Sequence, residues 1–228
     1  MRLSFIFACM LVMVACSSKP KRVVKDVDNS ETIKKDYEVK DASSNIRPGW
    51  VEDAEIWAAQ EGWDVKKYRY FSFETEPNSS RQIACNVAKA NARADIAAEI
   101  TTFIQKSLAS SEYGQLAIDP NNPQTEPLRG YVQNDLKERV QGLIHGSSVV
   151  KTYWEKRSYL TKLGAKKNYM GQTCAVLVRM DADLLKEAIS KASEGIVKKV
   201  TDQELKDNVK KALDNLDEDF LKARQGEI

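Results

Sequence analysis

From Ile83 to Leu108 the chain runs 26 residues without a Gly or a Pro, and seven of them are Ala. Strands are rarely longer than about ten residues, so a run of this length is a helix. Ser79 and Gln82 stand ahead of it at capping-box spacing. Ile83, Val87, Ala94, Ala98, Thr101 and Ile104 fall near one face, with Cys85, Ala88, Ala92, Ile96 and Phe103 beside it. That stripe is too wide for a coiled-coil seam. Its small side chains, Ala94 among them, let the helix lie close over a sheet, and core packing explains them without a functional role.

The rest of the 228 residues supplies that sheet. Tyr68 to Thr75 is rich in aromatics and stops at Pro77 and Asn78, which marks a first strand. Residues 147–161 and 168–180 read as a hairpin around Leu163-Gly164-Ala165-Lys166-Lys167. In its second arm Met170, Cys174, Val176, Val178 and Met180 share one face, so one side of the hairpin is expected to be covered. A short helix is expected over 51–60 and another over 131–144. Between 110 and 130, three Pro and two Gly predict a long loop. Asp181 is the expected cap of a helix over 182–193, ended by Gly195. Thr201-Asp202-Gln203-Glu204 opens a charged final helix whose narrow stripe is Leu205, Val209, Leu213, Leu216 and Phe220. That helix is expected at the domain edge or against a partner chain.

The first 15 residues carry a different message. Arg2 followed by an apolar stretch from Phe5 to Ala15 is too short to span a bilayer and suits an export signal. It closes on Val14-Ala15-Cys16-Ser17-Ser18, which resembles the cleavage box of bacterial lipoproteins, although Met13 sits where Leu is usual. That resemblance implies Cys16 as the lipidated first residue of the mature chain. Ser17, in place of Asp, implies the outer membrane, with the domain facing the periplasm or the cell surface. Residues 17–45 mix Lys, Arg, Asp and Glu with scattered apolar residues and read as a flexible tether with a reach of roughly 30 Å.

The composition excludes more chemistry than it supports. Lys and Arg total 35 against 33 Asp and Glu, a balance that leaves no basic footprint for nucleic acid. A single His and four Cys leave too few donors for a zinc-type site, and no phosphate loop or cofactor motif occurs. No metal or cofactor is expected. His145 is the one imidazole, beside Gly146 between an expected helix and an expected strand, so no catalytic residue is assigned. Glu74 with Glu76, and Glu52 with Asp53 and Glu55, read as solvated surface. With Cys9 in the leader and Cys16 lipidated, Cys85 and Cys174 remain. They are either a bridge, worth about 4 kcal/mol by chain entropy, or two buried free thiols.

The run Ala88-Lys89-Ala90-Asn91-Ala92-Arg93-Ala94-Asp95-Ile96-Ala97 resembles the Ala-rich helix of the Lpp-twenty family of bacterial outer-membrane lipoproteins. Pro48-Gly49-Trp50 before the first strand, the late hairpin and the Asp181-led helix occur in the same order. The flagellar lipoprotein FlgP is similar to that family. The resemblance covers about residues 47–193 and implies a long helix on a small antiparallel sheet, without enzymatic residues.

The expectation is therefore an α+β protein in the order β-α-α-β-β-α with an extra C-terminal helix. Its parts are a leader over 1–15, Cys16 and tether over 16–45, the domain over 46–195 and a charged helix over 196–228. The expected role is a lipid-anchored, non-enzymatic module for protein–protein interaction or self-assembly. A ring or disk subunit of an envelope machine, such as the flagellar motor, is one alternative. A periplasmic module binding a small molecule or glycan is another, and needs an aromatic pocket near Trp50, Trp57 or Trp154.

Overall fold

The computed structural model describes residues 27–28 and 35–225; the leader, Cys16 and most of the tether lie outside them. Among the described residues six strands are present: β1 Val27–Asp28, β2 Tyr37–Ala42, β3 Ile46–Arg47, β4 Tyr68–Glu74, β5 Ser148–Tyr159 and β6 Tyr169–Asp181. The last two form the expected hairpin, and β2-β5-β6-β4 is one antiparallel sheet. Its helices are α1 Ala54–Gln60, α2 Arg81–Ser110, α3 Glu112–Ala117, α4 Glu126–Gly130, α5 Leu136–Leu143, α6 Ala182–Lys198, α7 Gln203–Ala212 and α8 Leu216–Gln225. The chain is α+β, with the long helix on a small antiparallel sheet.

Strand periodicity sends alternate residues to two different cores. Phe71, Cys174, Val176, Val178 and Met180 face α2 and join the larger core, while Tyr70, Tyr153, Ala175 and Leu177 face Trp50, Ala54 and Trp57. Both sides of the hairpin are thus covered, not one. The continuous run from Cys174 to Val178 is the mark of a strand buried on both faces.

The N-cap of α2 is Ser80, whose side chain accepts from the Ile83 amide, one residue beyond the expected cap. The buried row is Ala84, Ala88, Ala92, Ile96, Ile100, Ile104 and Leu108. Each four-residue step advances about 40° around the helix, so the row winds from the sheet toward α5, α3, α7 and α8. Ala94 falls off this row and is only half-buried, which corrects its expected place beneath the sheet. Ala88, fully buried at the sheet, takes that role. Ala88→Leu should cost about 1–3 kcal/mol in chemical denaturation, whereas Ala94→Leu should stay within about 0.5 kcal/mol.

Four expectations yield to the structure. The stretch 110–130 is largely helical, because Pro123 and Pro127 sit in first turns, where Pro starts a helix instead of breaking it. The 16–45 tether loses Tyr37–Ala42 to β2, an edge strand whose outward Glu38, Lys40 and Asp41 made it read as solvated coil. The separate 196–228 helix is two helices. Asn215 at φ +57° turns the chain between α7 and α8, so that Leu205, Val209, Leu213, Leu216 and Phe220 all enter the main core. Gly195 does not end α6, which continues to Lys198; the Tyr131 hydroxyl packs close to Gly195.

Candidate functional site

Cys85, in the second turn of α2, is bridged to Cys174 on β6, with Cα atoms 5.0 Å apart across 89 positions of sequence. The free-thiol alternative is set aside. The bridge pins the long helix to the centre of the sheet, where Cys174 is fully buried.

On the opposite face the apolar core gives way, along β5, to charge. Glu155 has no exposed surface, and Arg157 Nε donates to its Oε2 at 2.6 Å. Tyr153 Oη donates to Glu155 Oε1 at 2.9 Å, and Arg47 Nη1 approaches the same oxygen at 3.3 Å. Arg47 Nη2 also donates to Glu74 at 2.8 Å, its Nε reaches Glu52 at 3.2 Å, and Arg157 meets Glu74 as well. Burial alone would raise the Glu74 carboxyl, but the Arg47 hydrogen bond and the charges of Arg157 and Arg47 hold it below the usual carboxylate range. The Arg157 guanidinium lies 4.4 Å from the Tyr37 ring centre. Burial, ahead of the charges around it, pushes the Tyr37 hydroxyl up to about 12. Glu155 and Glu74 are structural, the first fully buried and the second half-buried, so Glu74 is not the solvated surface expected of it; Glu52 stays exposed, as expected. What hid Glu74 is that its arginines are 27 and 83 residues away.

Glu55 is buried too, and holds the free edge of β4: its Oε2 accepts the Tyr70 amide at 2.8 Å. Arg224 of α8 donates to the Tyr70 carbonyl at 2.8 Å and stacks 4.2 Å from the Phe71 ring centre. Both backbone groups of an edge position are thereby occupied, which blocks strand addition there. Beside them opens a cleft of about 660 Å³ lined by Ser72, Asp95, Glu99, Thr102, Phe103 and Phe220, among others. Burial, then the Glu99 charge, raises the Asp95 carboxyl. Its lining contains no His or Cys.

The residues singled out in the sequence do not converge. His145 is exposed and hydrogen-bonds the Leu143 carbonyl at 2.8 Å. Trp50 and Trp57 are buried in the smaller core, Trp57 packing edge-on against Trp63. Trp154 is half-buried under the Arg81 guanidinium at 4.7 Å. Trp50 and Trp57 are thus enclosed by protein side chains. Among the described residues no three His, Cys, Asp or Glu come together as a metal site, and no helix is long and apolar enough to cross a membrane. Comparison of the chain with protein-family models, with curated proteins and with solved structures finds no match.

Proposed function

We propose that this chain is a lipid-anchored envelope protein, held at the outer membrane by acylated Cys16, whose α+β domain binds protein partners or copies of itself and performs no catalysis. The observation that carries the proposal is the Cys85–Cys174 bridge. Disulfides persist in oxidising compartments such as the periplasm, where the domain of an exported lipoprotein resides. The two remaining cysteines are those of the leader and its cleavage box, so every cysteine has a place in one scheme. The order of elements shared with the Lpp-twenty lipoproteins supports the same reading.

Two experiments test it. Cys16→Ser, expressed in a bacterial host, should carry no lipid and leave the membrane fraction on a high-salt wash, which the acylated parent withstands. A variant that resists the salt wash as the parent does, without acylation, sinks the anchor. Light scattering of the chain from Ser17 to Ile228 across concentration then separates the modes of action. A large closed oligomer supports a ring or disk subunit, and a persistent monomer supports an adaptor that meets its partner from the tether.

A further inference from the structure

The smaller-core face of the sheet changes character along β5: Tyr153 over apolar neighbours, then Glu155 and Arg157, then Tyr159. At Tyr159 three strands end in an aromatic ladder. Tyr159 stacks on Tyr169 with centroids 4.4 Å apart, and Tyr37 lies 5.2 Å from Tyr159 on the other side. Beyond the ladder the hairpin turns at Gly164, whose φ of +109° suits only glycine.

This tip is unlike the rest of the surface. From Leu160 to Met180 there is no Asp or Glu, while Lys162, Lys166 and Lys167 all stand on the turn and are all exposed. Among the described residues eight large apolar side chains are exposed, and three of them, Leu163 (40%), Tyr169 (39%) and Met170 (50%), are here. The acids nearest in the sheet come from β2 and its approach: Glu38, which meets Lys162 at 3.4 Å, and Asp36, whose carbonyl accepts the Leu160 amide. Exposed apolar side chains set among lysines, above a row of tyrosines, match the chemistry of a membrane interface. There aromatic rings sit at headgroup depth and lysine stems reach back toward phosphate.

We infer that the β5–β6 hairpin tip, Lys162 to Met170, docks on an anionic lipid surface and orients the domain against the membrane that carries its anchor. The docking rests on the lipid-anchor reading for its biological setting, and the lengths agree with it. Ten residues separate Cys16 from Val27, and they span at most about 36 Å. Val27 pairs with Arg47, which shares Glu155 with Arg157. Gly164 is seven residues beyond Arg157, at most about 23 Å even at full strand rise. A surface holding Cys16 is therefore within reach of the tip.

The chain from Ser17 to Ile228 omits none of the described residues and lacks the anchor, so it isolates the tip's contribution. It should co-sediment with phosphatidylglycerol-containing vesicles, more weakly with pure phosphatidylcholine, and less as salt rises. At about 1 kcal/mol per surface lysine, the Lys162→Gln, Lys166→Gln, Lys167→Gln triple variant should bind anionic vesicles about 100-fold more weakly. Leu163→Ser with Met170→Ser should weaken binding about tenfold or more while keeping the salt dependence. All are exposed, Met170 at the start of β6 and the others on the turn, so unchanged thermal midpoints are expected. Vesicle binding unaltered in the triple variant would assign the attraction to the basic residues between 19 and 34 and overturn the proposal, as would no binding by the parent chain. Neither result bears on Cys16, whose acylation is read separately by mass.

Discussion

Replacing Cys85 and Cys174 together by Ala should lower the unfolding free energy by about 4–5 kcal/mol, the chain-entropy cost of opening a loop of this length. Most of α2, all of α3, α4 and α5, the whole of β5 and the start of β6 lie inside that loop. Without the bridge the unfolded chain regains the freedom of all of them at once. Domains of this size have only about 5–15 kcal/mol of stability to lose. The variant should therefore unfold at much lower urea, and dithiothreitol should move the parent chain toward it. Equal midpoints for variant and parent, or two titratable thiols in protein recovered from the periplasm, would contradict the bridge.

Arg157→Ala should cost about 3–5 kcal/mol, the usual penalty for leaving a buried charge without its partner. Glu155 has no exposed surface. Losing its 2.6 Å contact leaves it to Tyr153 and to Arg47, which already serves Glu74 and Glu52. Replacing both Glu155 and Arg157 by Leu removes the charge along with its partner and should recover much of the loss, since Glu74 keeps Arg47 at 2.8 Å. The network also has a pH signature. Glu74 is held below its ordinary 4.5, against the upward pull of burial, by Arg47 and Arg157. A carboxylate with a depressed folded value contributes stability that is present above the unfolded value and is lost as pH falls through the folded one. The gap between parent and Arg157→Ala should accordingly narrow below about pH 4.5. A single Arg157→Ala as stable as the parent would show that the network is not holding charge out of water.

Local signals carried most of the fold. The Gly- and Pro-free helix, the strand ended by Pro77, the hairpin and the Asp181 cap all rest on patterns spanning a few residues, and each is present within a residue or two. What escaped depends on distant partners. β2 is polar on its outer side and is a strand because β5 is beside it. Glu55 is buried and Glu74 half-buried because Arg69, Arg47 and Arg157 fold onto them. The two prolines at 123 and 127 carry the same letter whether they end a helix or begin one, and here both stand in a first turn. Cys85 and Cys174 were visible as a pair, yet their 5.0 Å approach follows from the register of α2 on β6, which no spacing encodes.

The most direct test of the anchored-lipoprotein proposal is the intact mass of the mature protein extracted from bacterial membranes. It should begin at Cys16, carry acyl chains on that residue and be two hydrogens lighter than the dithiol form. A mature chain beginning elsewhere, or Cys16 present without lipid, would contradict the proposal.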